Sequence, residues 1–187
     1  MNNRNLPTNT KKIILIIDAI VVLALVIGIH LIHNNHRYGI ALYSATGSMS
    51  VTARRLAESI AYMQKSFADP DIENDDINTS YFGSAVLDAR SSFGFDVDLP
   101  LSQDVWSGYT SRIEKLWHQV VGKDVDELEK MFEKEAEELT NLRDHLDNLD
   151  KCFVDFREKY IQMSEWEQYF VSWRKEQRIL NEKVRIP

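Results

Sequence analysis

The chain has 187 residues, a net charge of −7, 27% charged residues and a single cysteine. This length fits one domain with appendages, and the single cysteine excludes both an intrachain disulfide and a cysteine-rich zinc module. The acidic balance argues against a general nucleic-acid binder, because phosphate contacts need lysine and arginine clustered on one surface. We therefore expect no nucleic-acid partner.

An apolar segment of twenty residues lies near the N-terminus, at residues 13–32, and its only polar side chains are Asp18 and His30. A helix of that length crosses about 30 Å of hydrocarbon, so the apolar segment is predicted to be a transmembrane helix. A cleaved signal peptide is the alternative, but its apolar core is normally only about 7 to 15 residues long.

The charge distribution predicts the orientation of this helix. Residues 1–37 contain four basic residues and one acid, a balance of +3, so the net charge of −7 leaves −10 on residues 38–187. Lys11 and Lys12 flank the first edge of the apolar segment, whereas only Arg37 lies close to the second. The positive-inside rule then predicts a cytoplasmic tail at residues 1–12 and an extracytoplasmic bulk, periplasmic in a bacterium, on a single-pass protein of the inner or plasma membrane.

Asp18 is the one acid within the apolar segment, and it has two interpretations. It either reaches back to the headgroups or to Lys12, or it forms an ion path shared with a partner helix. The run Ile-Ile-Asp-Ala-Ile-Val-Val-Leu at residues 16–23 resembles the single span of proton-driven motor subunits of the biopolymer-transport and flagellar-stator type. That resemblance implies an ion-coupled role for Asp18.

Three histidines, His30, His33 and His36, follow at steps of three residues on the outer boundary of the apolar segment. On a helix they share roughly one face, and we interpret them as interfacial residues and not as metal ligands.

Beyond the membrane, apolar residues recur at alternating steps of about four and three over residues 38–67. This period predicts that the transmembrane helix continues outward for about 45 Å and packs against other helices. Pro70 ends the pattern, and the acids around it depart from a calcium loop because Asn74 and Ser80 replace the required glycine and glutamate. Shorter helices are predicted over residues 80–93 and 102–121.

Residues 124–183 are predicted to form one long helix, since they contain neither glycine nor proline and keep the same period. One seam of that helix has only apolar positions: Leu139, Leu142, Leu146, Leu149, Phe153, Phe156, Tyr160 and Met163. We expect this seam to pack on a protein partner or on a second copy of the chain. Beyond Met163 aromatic residues replace leucine, which indicates a bend or a change of partner near residue 164.

The C-terminal end is predicted to lie against the membrane surface. Five basic residues against two acids leave +3 on residues 174–187, and Trp166 and Trp173 would sit at headgroup level beside them.

A second resemblance concerns residues 43–57, in which Gly47, Ser48, Met49, Arg55 and Leu56 fit the spacing of a known segment. The segment is similar to the one that opens the extracytoplasmic four-helix sensor domain of nitrate/nitrite-type sensor kinases and pilus-type methyl-accepting transducers. The resemblance implies anion contact by Arg54 and Arg55. Ser50 stands where that family has an arginine that contacts the anion.

The predicted fold is all-α, with a single N-terminal transmembrane helix and an elongated helical bundle or coiled coil over residues 38–187. No phosphate-binding glycine loop, zinc motif or nucleophile–base pair is present, so we expect no enzyme activity, cofactor or metal. The predicted function is a membrane-anchored interaction or scaffold subunit of an envelope complex. A receptor-like sensor bundle and an ion-coupled motor-type subunit are the alternatives.

Overall fold

The structure is a computed structural model that describes residues 8–73, 76–94 and 101–186. Seven helices lie in these ranges: α1 (Thr8–Ala68), α2 (Thr79–Gly94), α3 (Gln103–Val120), α4 (Val125–Lys134), α5 (Ala136–Gln162), α6 (Glu165–Phe170) and α7 (Trp173–Val184). Because the described residues form helices and no strands, the predicted all-α class is confirmed.

Helix α1 has 61 residues and is therefore about 90 Å long. Its first half carries the apolar segment, whose side chains are exposed, and its second half buries apolar residues from Leu42 onward. The helix ends just before Pro70, whose ring cannot continue a helical hydrogen-bond ladder. Of the predicted tail, residues 1–7 lie outside the described residues and the rest already belongs to α1.

The part of the bundle farthest from the apolar segment is built by α1, α2, α3 and α5, with the short α4 packed on them through Leu128 and Phe132, and we call it the distal layer. Helix α2 runs back along α1 from the Tyr62–Tyr81 ring contact, at 6.4 Å between centroids. Helix α3 then runs outward along α2, from a stack of Phe93 on Trp106 at 5.0 Å. Gly122, with φ of 75°, permits the turn that follows α3.

Helix α5 returns antiparallel to α1 along most of the length of the bundle. Gln64 contacts Thr140 at 3.0 Å near the distal end, and Tyr43 stacks on Tyr160 at 4.6 Å near the proximal end. The C-terminal end of α5 is therefore brought back toward the apolar segment.

The helix predicted over residues 124–183 is wrong as a single element. At Glu135 the predicted helix is only kinked. The Glu135 amide still donates to the Met131 carbonyl, and the Glu135 carbonyl still accepts from the Leu139 amide, both at 2.9 Å. At Met163 it stops, with an extended backbone at ψ of 138°.

A local cap explains the stop at Met163. The Ser164 side chain accepts from the Glu167 amide, and the Glu167 carboxylate accepts from the Ser164 amide, which starts the separate helix α6. Val171 is again extended, and α7 then runs back along the bundle, from Trp173 beside Gly39 to Lys183 beside Asn148. The predicted change near residue 164 is thus a chain reversal, not a bend.

Closer to the apolar segment than α2 and α3, helix α7 packs beside α1 and α5. We call this part, formed by α1, α5 and α7, the proximal layer. Its core consists of Leu42, Phe156, Tyr160 and Trp173. The two layers meet where the Tyr109 hydroxyl donates to the Val184 carbonyl at 2.8 Å.

Candidate functional site

The apolar segment is the part of the described structure that the bundle does not cover. Its large side chains are mostly half exposed or more, and Leu15 reaches 71%. Within the described residues, α1 is the helix that is long and apolar enough to cross a membrane. Leaving such a surface in water is unfavourable at about 25 cal/mol per Å² of apolar area, so the segment needs an apolar environment.

Asp18 lies within this exposed segment, as the sequence places it. None of the ion pairs between described side chains includes Asp18. Both interpretations of this acid, the anchor and the ion path, therefore stay predictions.

Helix α6 is attached to α1 just beyond the apolar segment. The Asn35 amide donates to the carbonyls of Tyr169 at 3.2 Å and Val171 at 2.8 Å. The His36 ring stacks on Tyr169 at 3.9 Å between centroids. These contacts satisfy carbonyl groups at the end of α6 that the helix itself leaves open.

The outward face of α6 carries two large exposed aromatic side chains. Trp166 is 76% exposed and Phe170 is 68% exposed. Together with Ile29, Ile32 and His33 of α1 they line an open groove of about 430 Å³. We call the exposed pair Trp166 and Phe170, with the α1 side of this groove, the aromatic collar.

Trp173 has a different place from the one predicted. It is 1% exposed, and its indole nitrogen donates to the Gln168 carbonyl at 2.9 Å. The indole ring lies directly against Gly39, where the absence of a side chain makes room for it. The prediction of Trp173 at headgroup level is therefore wrong, since this ring belongs to the proximal core.

The basic end of α7 is also far from the apolar segment. The Asn148 amide donates to the Lys183 carbonyl at 3.0 Å, and Asn148 lies on α5 close to Asp150, which contacts Ser50 and Arg54. At 1.5 Å per residue of α1, that level is about 30 Å beyond the end of the apolar segment. The placement of Lys183 at the membrane surface is thus wrong, because α7 leads away from it.

The three histidines have separate surroundings. His30 is hydrogen-bonded to Asn34 at 2.9 Å, His33 lines the groove, and His36 stacks on Tyr169. Within the part of the chain that the structure describes, no group of three or more histidine, cysteine or acidic residues is arranged to hold a metal ion.

Arg54 and Arg55 lie on α1, and their side chains reach different helices. Arg54 lies 4.0 Å from Asp150 on α5, which also accepts a hydrogen bond from the Ser50 hydroxyl. Arg55 pairs with Asp88 on α2 at 2.6 Å. The two guanidinium groups therefore do not converge, and each already faces a carboxylate.

The seam of the last helix lies inside the chain itself. From Leu139 to Tyr160 each of its predicted positions is buried, and Met163 is partly buried. Helix α1 of the same chain packs along α5, so covering the seam needs no second chain. A protein partner would have to bind a different surface, and such a partner stays a prediction.

A crevice of about 330 Å³ lies between α3 and α5. Three of its charged side chains are paired, since Lys115 lies 3.6 Å from Glu135 and also contacts Glu138. Hydrogen bonding in the latter pair raises the pKa of Lys115 and lowers the pKa of Glu138. Both groups thus stay ionised at neutral pH, which suits an ion pair better than proton transfer.

Two contacts with glycine were not found by sequence reasoning. Gly39 accommodates Trp173, and Gly47 accommodates Arg157, whose guanidinium lies 4.8 Å from the Tyr43 ring centre. The only signal in the sequence is a glycine inside a helical pattern, which often marks close approach of another side chain.

No protein-family model, curated protein or solved structure matches the chain significantly.

Proposed function

We propose that the protein is a single-pass, non-enzymatic interaction subunit that holds a helical bundle at a set height and orientation on the outside of a cell membrane. Its N-terminus is cytoplasmic, and the bundle is a scaffold for an envelope complex. The continuity of α1 carries this proposal. One helix leads from the exposed apolar segment into the bundle core without a linker, so motion of the segment and of the bundle is coupled.

The dimensions of the bundle support a spacing role. Gln64, beside the distal end of α5, is 32 residues beyond the end of the apolar segment, which is about 50 Å along α1. The seam of α5 is buried inside this rod and is not exposed to a partner. Partner contacts are then expected on the outward faces of α2, α3 and α4.

The sensor alternative has less support. An anion site built on Arg54 and Arg55 would have to displace Asp150 and Asp88, to which they are already paired. The motor alternative rests on Asp18 alone, and no observation of its surroundings favours it.

Topology is tested by cysteine labelling in intact cells, in a Cys152→Ser background. Lys130→Cys, at an exposed position on α4, is expected to react with a membrane-impermeant maleimide without lysis. Asn3→Cys is expected to react only after lysis. Labelling in the opposite order would overturn the orientation, and release of the protein by alkaline carbonate would overturn the anchor.

The scaffold role is tested by photo-crosslinking in the same cells. A photoreactive residue at Lys130 or Leu87, both exposed, is expected to capture one defined protein at a constant ratio. The same group at the buried Leu146 is the matched control and should capture nothing. Absence of any defined product, together with a rise in the melting temperature of the purified chain in nitrate but not in chloride, would favour the sensor instead.

A further inference from the structure

Helix α6 is held rigidly in place although it has only six residues. The capping box of Ser164 and Glu167 caps its N-terminal end, and the side-chain amide of Asn35 caps the carbonyls at its C-terminal end. The Gln168 amide donates to the carbonyls of Tyr160 and Met163, both at 3.3 Å. The orientation of α6 is therefore set by contacts on its inner side.

This rigid frame points the two largest apolar side chains of α6 outward. Trp166 and Phe170 are four residues apart, so they share one face of the helix. Tyr169, on the inner side, packs on His36 instead. The exposure of Trp166 and Phe170 is thus imposed by the fold and does not result from a loosely packed end.

The level of α6 along α1 is also determined by its contacts. It faces Ile29 and Ile32, the last residues of the apolar segment, and it is fastened at Asn35 and His36, just beyond that segment. The aromatic collar is therefore continuous with the surface of α1 that faces hydrocarbon in the proposed function. His33 and Glu165 also line this groove, and in the proposed function they would lie at the level where headgroups begin.

We infer that α6 is a second membrane contact, which lies in the headgroup–acyl boundary of the outer leaflet with Trp166 and Phe170 inserted and a phospholipid in the groove beside Ile29 and Ile32. This inference rests on the proposed function, since it requires that α1 spans the same bilayer. Tryptophan is typical of this depth of the bilayer, and phenylalanine is typical of the apolar face of interfacial helices. A lipid fits better than a second protein chain, because the groove opens onto a segment that lipid already surrounds.

The contact has a mechanical consequence for the bundle. A rod held by one helix can tilt and rotate about it, whereas a rod held at α1 and α6 has a defined tilt and a defined face toward the membrane. Helix α6 thereby orients the outward faces that the proposed function assigns to partners.

The test uses the full-length chain in phosphatidylcholine vesicles and compares it with Trp166→Phe. The difference between the two emission spectra isolates Trp166, because the other three tryptophans, Trp106, Trp117 and Trp173, are the same in both proteins. We expect this component to be blue-shifted, quenched by lipids brominated near the headgroup, and protected from aqueous iodide. A Val121→Trp variant in the Trp166→Phe background is the control, since Val121 is exposed at the distal end and should show the opposite pattern.

The outcomes separate the inference from the function on which it rests. If the chain floats with the vesicles but the Trp166 component is quenched by iodide and not by brominated lipid, the inference is overturned and the anchor stands. If the chain does not float, the anchor itself fails. Protection of Trp166 from both quenchers would assign the collar to a protein contact and would also overturn the inference.

A second variant tests the orienting role. Trp166→Ser with Phe170→Ser removes mostly exposed apolar surface, so the fold and the flotation should persist. The distance distribution between a label at residue 130 and the bilayer surface is expected to broaden, whereas Val121→Ser should leave it unchanged. An unchanged distribution in the double variant would contradict the orienting role.

Discussion

Replacement of Gly39 by alanine tests how tightly the proximal layer is packed. A Cβ atom at Gly39 would lie 2.5 Å from Cε2 and 2.7 Å from Cδ1 of Trp173, and closer still to its indole nitrogen. Since carbon atoms in contact are normally about 3.5 to 4.0 Å apart, the ring or the helix has to move by about 1 Å.

The indole ring has little freedom to move. It is 1% exposed, its nitrogen is hydrogen-bonded to Gln168, and it packs on Tyr160 at 5.1 Å and Phe156 at 6.0 Å between ring centres. A shift of the ring away from α1 would strain the hydrogen bond and the contact with both aromatic neighbours.

The expected free-energy change is the balance of two effects. An alanine inside a helix is more favourable than glycine by about 1 kcal/mol, whereas an extra carbon in a packed core typically costs about 1 to 3 kcal/mol. Gly108→Ala on α3 is the matched control, because nothing lies within 4 Å of the Cβ position there and only the favourable effect applies. The difference between the two variants should therefore be about 1 to 3 kcal/mol, with Gly39→Ala the less stable.

Thermal unfolding of the full-length chain in micelles, followed by far-UV circular dichroism, measures this difference. For a chain of this size each 1 kcal/mol corresponds to a shift of about 2 to 4 °C in Tm. The near-UV tryptophan signal should change in Gly39→Ala but not in Gly108→Ala. Equal stabilisation by both substitutions would refute the close packing of Trp173 on Gly39.

Three further predictions concern the seam, a histidine and the acid of the apolar segment. Leu146→Ala should lower the free energy of unfolding by about 2 to 5 kcal/mol, because Leu146 is fully buried, whereas Ile161→Ala at an exposed position should change it by less than about 0.5 kcal/mol; similar effects would contradict the burial of the seam. Burial, with the like charge of Arg112, lowers the pKa of His145 below its ordinary 6.5. The free energy of unfolding should therefore be highest above pH 6.5 and fall as the pH drops from 6.5 toward the pKa of the folded state. His145→Gln should flatten this part of the pH profile, and an unchanged profile would contradict the lowered pKa. Asp18→Asn should preserve membrane insertion, assembly and activity if Asp18 is only part of an anchor, and a correctly assembled but inactive variant would put the ion-coupled role first.

The resemblances carried less information than the local patterns did. The similarity over residues 43–57 directs attention to Arg54 and Arg55, yet these two side chains contact Asp150 and Asp88 on different helices. Spacing along one helix places residues on that helix correctly, but it contains no information on which acids of other helices will face them. The partners of Arg54 and Arg55 are therefore decided by the tertiary structure.

Local sequence alone determined the all-α class and the exposed apolar part of α1, because a helix is stabilised by residues close to each other in the chain. Pro70 and Gly122 likewise end helices through their own backbone conformation. The period of the seam likewise determined which face of α5 is buried, but not what buries it. That α1 of the same chain covers the seam, that the chain reverses after Met163, and that Trp173 enters the core over Gly39 were decided only by tertiary structure. An apolar face is satisfied equally well by any complementary surface, and only the packing of distant segments in one volume decides whether that surface is another helix, a second chain or, as inferred for the aromatic collar, a lipid.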